Sequence, residues 1–147
     1  MSSKKCYIAS GWFTKEAAED VEYLEKTLNE LGYKVFSPRR YIVLARDASD
    51  EQRRDVFGAN LDAIRKSDVV VVNTRDKDMG TLFEAGYAYS NRIPVVYVCF
   101  GLQNAKFNVM LAESGRAALT SKESFLKYMR SATSVGFVRV QHRGGVE

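Results

Sequence analysis

Four consecutive valines, Val69 to Val72, set between Asp68 and Asn73, restrict this chain more than any other feature. β-Branched side chains lose rotamer freedom in a helix and fit the pleated surface of a strand. A strand that is apolar at every position has no face to offer water, so both of its faces need cover. A central strand in a parallel sheet, with helices above and below, meets that need. The rest of the chain supplies the partners. Residues 5–10, 33–37, 93–100 and 116–119 read as further strands, and apolar positions at helical spacing mark helices between them. Helix 15–31 carries Val21, Leu24, Leu28 and Leu31 on one face, with Thr14 as its cap and Gly32 as its stop. Helix 50–66 is expected to bury Val56, Leu61 and Ile64, and residues 80–91, 108–114 and 122–131 read as the remaining helices.

The expectation is a single-domain α/β fold: an open five-stranded parallel sheet with helices on both faces, over residues 1–143. The segment 39–50 shows no period and reads as a long loop, and the Gly-rich end 144–147 reads as disordered. The chain contains no run of the roughly 20 apolar residues that a membrane-spanning helix requires, and its start lacks a signal-peptide core. A cytoplasmic protein with no membrane partner is expected. Cys6 and Cys99 both fall in apolar strand segments and read as buried free thiols, and His142 is the sole histidine, so no metal site is expected. The formal charge of +4 is spread over a mixed stretch, 39–54, and a modestly basic tail, so no nucleic-acid partner is expected.

Ligands of open parallel sheets bind beyond the carboxyl ends of the strands. The segments to search are therefore 10–13, 37–46, 73–84 and 100–110. Within 80–89, Glu84 is the sole charged residue, near the start of an otherwise apolar or small helix. A helix N-terminus favours a carboxylate and would help to keep it ionised. Periodicity alone favours Glu84 on a solvent-facing stripe. Asp78 reads as a loop ligand or as a helix cap. Tyr7 reads as a site hydroxyl or as a core aromatic, and Asn108 and Met110 as ligands or as a cap and a core filler.

Taken together, Tyr7-Ile-Ala-Ser-Gly-Trp-Phe13, the segment from Asn60 to Asp68, the segment from Asp78 through Glu84 to Ala88, and Asn108-Val-Met110 resemble the nucleoside 2-deoxyribosyltransferases. The resemblance runs in order from about residue 5 to 126, within a flavodoxin-like or Rossmann-like fold. It implies that Glu84 attacks the anomeric carbon to form a covalent deoxyribosyl-enzyme, from which a second base displaces it with net retention. Tyr7 would hold the Glu84 carboxylate, and Asp78 and Asn108 would bond the sugar hydroxyls. Gly11, Trp12, Phe13 and Asn60 would lie along the substrate, with Trp12 and Phe13 near the base. The segment 108–110, Met110 included, would come from a neighbouring subunit of a homo-oligomer with shared sites. The implied partners are a deoxyribonucleoside and a free nucleobase, with no cofactor.

Asn60 departs from the family, which usually has an aspartate there to protonate or hydrogen-bond the leaving base. An amide can donate and accept hydrogen bonds but cannot deliver a proton. Three consequences stay open: a slow enzyme, a preference for bases that leave with less help, or a different proton donor. Asp62, two residues on, falls on roughly the opposite helix face. The family's C-terminal aromatic and carboxylate have no clear match. Two other readings remain: a deoxynucleoside 5′-monophosphate N-glycosidase of the same fold, and a non-catalytic nucleotide-binding module. Asp78 would repel a 5′-phosphate, whereas the arginines of 39–54 could bind one if that loop folds inward.

Overall fold

The valine run forms β3 (Val69–Asn73), and all four valines are fully buried. The computed structural model describes residues 3–41, 44–102 and 106–146. Around β3 stand β1 (Lys5–Ala9), β2 (Lys34–Phe36), β4 (Val95–Val98) and β5 (Ala117–Leu119) in the order β2-β1-β3-β4-β5, every pair parallel. The register sets Tyr7 beside both Phe36 and Val70, and Val72 beside both Ala9 and Tyr97.

Side chains alternate across a strand, so β3 divides its valines between two cores. Val69 and Val71 join Cys6, Ile8, Val96 and Val98 beneath Leu24 and Leu28 of α1 (Lys15–Glu30) and Phe125 and Met129 of α6 (Lys122–Val135). Val70 and Val72 join Tyr7, Ala9, Val95 and Tyr97 against Ile64 of α3 (Asp50–Arg65) and Ala85 and Ala88 of α4 (Met79–Ser90). Ala112 of α5 (Val109–Ser114) completes that second face. Small residues on α4 let it lie close to the sheet, and this brings Glu84 to the carboxyl end of the strands.

The caps follow local chemistry. Thr14 accepts from the Ala17 amide, and Ser49 with Gln52 closes a reciprocal capping box at the start of α3. The fold differs from the sequence expectation in several places. A four-residue helix, α2 (Pro38–Tyr41), stands in the segment read as loop. It is held because the buried Glu25 carboxylate accepts from Arg39 Nε at 2.9 Å and Arg40 Nε at 2.8 Å. Helix α6 continues to Val135, past the expected end at residue 131. On α3 only Ile64 is buried; Val56 and Leu61 are half-buried, and Leu61 lines a cleft instead of filling a core.

The end of the chain, read from composition as disordered, has specific contacts. The Phe107 amide donates to the Gly145 carbonyl at 3.0 Å, and Val146 pairs with Phe107 as a parallel bridge; Glu147 lies outside the described residues. Among the described residues no helix is long and apolar enough to cross a membrane. Cys6 is buried as expected, whereas Cys99 is half-buried, and both are free thiols.

Gly115 sits between α5 and β5, against the buried Tyr97 ring. A Cβ there would lie 2.6 Å from Tyr97 Cδ2, a separation that real contacts do not reach. The Tyr97 ring cannot withdraw, since it lies in the second core and its hydroxyl meets Ser114 Oγ at 2.8 Å. Gly115→Ala is expected to cost about 1–3 kcal/mol, read as a lower denaturation midpoint with an unchanged m-value.

Candidate active site

The sheet order reverses at β1 and β3: the chain leaves β1 toward β2 on one side and returns to β3 on the other. The two strands part at their carboxyl ends, and a cleft of ≈ 340 Å³ opens above them. Ser10, Gly11, Trp12 and Phe13 from the turn after β1 form one wall. Asp78, Gly80, Phe83 and Glu84 form another, and Phe57, Asn60 and Leu61 of α3 a third.

Glu84 stands in the second turn of α4, half-buried and facing this cleft. Its Oε2 accepts from the Tyr7 hydroxyl, and Tyr7 itself is fully buried at the centre of the sheet. The phenol is held flat as well. Its ring stacks on Phe36 at 5.5 Å and 11°, and Phe36 stacks in turn on Tyr41 of α2 at 4.6 Å and 8°. The Glu25–arginine clamp on α2 thus fixes the outer end of a stack whose inner end orients the carboxylate.

Helix polarity does not keep Glu84 strongly acidic, contrary to the sequence expectation. Its influence fades beyond the first turn, and Glu84 lies one turn further in. Burial instead pushes the carboxyl up from 4.5 to about 7; the Tyr7 hydrogen bond lowers it, and the Asp78 charge adds to the rise. The Tyr7 phenol is itself pushed far above its usual range by burial and by the Glu84 charge, so it stays a proton-bearing donor.

Asp78 takes the capping role and also stands at the cleft. As N-cap of α4 its Oδ2 accepts from Thr81 N at 2.8 Å and from Thr81 Oγ1 at 2.9 Å. It also lines the cleft beside Gly11, where a Cβ would make van der Waals contact with Asp78 Cβ at 3.4 Å. Below the cleft, Asn73 Nδ2 donates to Ser10 Oγ and to the buried Asp20, each at 3.2 Å. Asp20 also takes Arg75 Nε at 2.5 Å. This network ties the turns after β1 and β3 together.

Asn108 and Met110 are not brought to Glu84 within one chain. Asn108 caps α5, accepting from Met110 N at 2.9 Å, and lines a separate cleft with Lys77 and Leu82. Met110 is 74% exposed, so it does not fill the core. Phe13 is 80% exposed at the rim, in the outward position rather than the packed one. Sequence reasoning missed Phe57 and Phe83, whose rings meet at 5.9 Å across the mouth, and it missed Phe36, Tyr41 and Thr81. An aromatic residue off the buried stripe of a polar helix, as at Phe57, was the available signal.

Two of the five arginines of 39–54 are engaged elsewhere, and none of the five lines the cleft. Arg39 and Arg40 bind Glu25, and the described lining of the Glu84 cleft contains no lysine or arginine. Among the described residues no cluster of three or more metal-ligating side chains occurs. The chemistry on offer is that of a desolvated carboxylate, backed by a phenol and accompanied by a second, capped carboxylate.

The sequence model of the family described as "Nucleoside 2-deoxyribosyltransferase" matches residues 6–129. No curated protein matches the chain. Among solved structures, a 2-deoxyribosyltransferase from Bacillus psychrosaccharolyticus is similar at 26% identity and a TM-score of 0.76, over 93% of this chain and 98% of that one. A conserved protein from Enterococcus faecalis shares the fold at 15% identity and a TM-score of 0.61, over 99% and 82% of the two chains. So does a Clostridium botulinum CMP N-glycosidase, at 16% identity and a TM-score of 0.59, over 86% and 98%.

A carboxyl whose pKa is raised on folding opposes stability once it ionises. The native state holds its proton up to about 7 and the unfolded state only to 4.5, so this group's contribution falls as pH rises through that window. Glu84→Gln is therefore expected to be more stable than the native chain by about 2–3 kcal/mol at about pH 8, and no more stable at about pH 4. Urea denaturation at both pH values checks this.

Proposed function

Given that the chain belongs to the nucleoside 2-deoxyribosyltransferase family, we propose that it exchanges the nucleobase of 2′-deoxyribonucleosides through a deoxyribosyl ester on Glu84. The observation that carries this reading is the Glu84 carboxylate itself: oriented by the Tyr7 hydroxyl, partly desolvated, and free of any cation in the described lining of its cleft. An unpaired carboxylate of this kind is a nucleophile and a stabiliser of positive charge at an adjacent carbon.

In the first step a Glu84 oxygen bonds to C1′ as the C1′–N bond breaks and its electron pair leaves with the base. The transition state carries oxocarbenium character, opposed by the carboxylate beneath it. In the second step a nitrogen of an incoming base bonds to C1′ on the vacated side and Glu84 departs as carboxylate, so the configuration is retained. Tyr7 holds one carboxylate oxygen throughout. Asp78, with Oδ2 taken by Thr81, presents its other oxygen to a sugar hydroxyl. A free 5′-hydroxyl suits this site better than a 5′-phosphate. Asp78 would repel the phosphate, and Arg39 and Arg40 are tied to Glu25.

Part of the site is supplied by a second copy of the chain. Phe13, Met79 and Met110 are exposed by 80%, 85% and 74%, and contact between two copies would take such apolar surface out of water. A homo-oligomer would cover them and bring Asn108 and Met110 of a neighbour to the cleft.

The reading is tested by incubating the protein with a deoxynucleoside and a second free base, and following products by chromatography. A new nucleoside that appears only with the acceptor, and is absent for Glu84→Ala, is the expected result. Release of base from monophosphates regardless of acceptor would instead assign the N-glycosidase reaction. Binding without turnover in any combination would assign a sensor. The reaction needs ionised Glu84, so kcat/KM should fall about tenfold per pH unit below about 7. Tyr7→Phe removes a hydrogen bond to the charged form, so it should cut kcat/KM roughly 10- to 100-fold and move that acid limb to higher pH.

A further inference from the structure

The cleft has two chemically different ends. Glu84 and Asp78 gather at one, and the α3 wall with Phe57, Asn60 and Leu61 forms the other. On the reading in which C1′ lies against Glu84, the departing base lies along the α3 wall, and the inference below rests on that reading. Asn60 carries the hydrogen-bonding side chain of that wall. Its Oδ1 is buried and has no hydrogen-bond partner. Buried acceptors are rarely left so, because the desolvation is not repaid. Asn60 lines the cleft, so a turn of its amide would offer this unanswered acceptor to a ligand donor.

The ionisable side chains in the described lining of the cleft are Asp78 and Glu84, both at the sugar end on this reading. Asp62, two residues along α3, turns to a different cleft beside Lys5 and Lys34. There it pairs with Lys66 Nζ at 2.8 Å, which holds its carboxyl below the usual range and keeps it ionised. The Tyr7 hydroxyl is committed to Glu84, and Ser10 Oγ donates to the Gly11 carbonyl at 2.6 Å. Asp78 Oδ2 is occupied by two hydrogen bonds from Thr81.

We infer that Asn60 makes this protein selective for nucleobases that leave, and attack, as anions: those whose glycosidic nitrogen bears the more acidic N–H in the free base. When the C1′–N bond breaks, the electron pair stays on the base, which departs as an anion while Glu84 becomes the neutral ester. Asn60 Nδ2 donates to the atom that gains charge and Oδ1 accepts from an N–H of the same base edge; water supplies the proton afterwards. In the return step the acceptor first loses its N–H proton to water. Its anion then bonds to C1′, and Glu84 regains its negative charge. Dioxopyrimidines, whose anions spread over two carbonyl oxygens, are therefore used ahead of cytosine.

A series of 2′-deoxyuridines bearing fluorine, hydrogen or methyl at C5 grades base acidity with little change of shape. Single-turnover cleavage is measured at about pH 8, where Glu84 is ionised, for the native chain, Asn60→Asp and Asn60→Ser. The expected result is a native rate at least about tenfold higher for the fluoro than for the methyl compound. That gradient should persist in Asn60→Ser and shrink to within about threefold in Asn60→Asp, which can protonate the base and so also loses rate as pH rises. A flat native series, or an equal gradient in Asn60→Asp, overturns the inference while leaving base exchange intact. Failure of the native chain to cleave any member overturns the transferase reading on which it rests. Thermal melting of both variants separates misfolding from altered chemistry, and the flat or graded native series decides the matter even if both variants melt early.

Discussion

The burial of β3 on both faces is the constraint from which the rest of the structure follows. Four valines in a row cannot be half-solvated, so helices must cover both sides of the strand. Parallel neighbours make that cover possible, because each crossover connection leaves a helix on a face. With β1 and β4 flanking β3, the chain must depart from β1 in both directions, and a gap at the strand ends results. The cleft is a consequence of topology before any functional side chain is considered.

Into that gap the fold places a carboxylate at some cost. Glu84 is drawn to the sheet because the residues around it on α4, Ala85 and Ala88, are small and buried. Desolvation raises its pKa to about 7, and the Tyr7 hydroxyl limits the rise. A more exposed glutamate would be ionised at lower pH but better solvated and a weaker nucleophile; a more deeply buried one would be protonated under neutral conditions. The stack of Tyr7, Phe36 and Tyr41, and the Glu25 clamp beyond it, act on the same balance, since a phenol that tilts away withdraws its hydrogen bond.

The second network, Asp20 with Asn73, Arg75 and Ser10, shows how polar groups serve a site without touching its reactants. Asp20 is 4% exposed, and its charge is answered by the Arg75 guanidinium and the Asn73 amide. Arg75 also donates to the Phe100 carbonyl at 3.1 Å, so the turns after β1, β3 and β4 are bound to one another. Fully answered buried charges of this kind hold geometry well, and a missing partner would leave a costly orphan. Asn60 Oδ1 is one such orphan, on a residue that lines the cleft, where a ligand can answer it.

Sequence by itself determined the elements and the sheet, because apolar periodicity, caps and stops act over a few residues. The valine run and the Thr14 cap were legible in that way, whereas the Ser49–Gln52 box emerged with the structure. It also singled out Tyr7, Asp78 and Glu84, through their position at strand ends and their resemblance to a family. Tertiary structure decided what depends on distance across the chain. Glu84 and Tyr7 lie 77 residues apart, and only the packing of α4 on β1 makes them partners and sets the carboxyl pKa. The same holds for Arg39 and Arg40, which local pattern left free and Glu25 claims. Asn108 shows the limit most directly: its cap was readable from its neighbours, but its separation from Glu84 within one chain was not, because no local pattern encodes which cleft a loop will face.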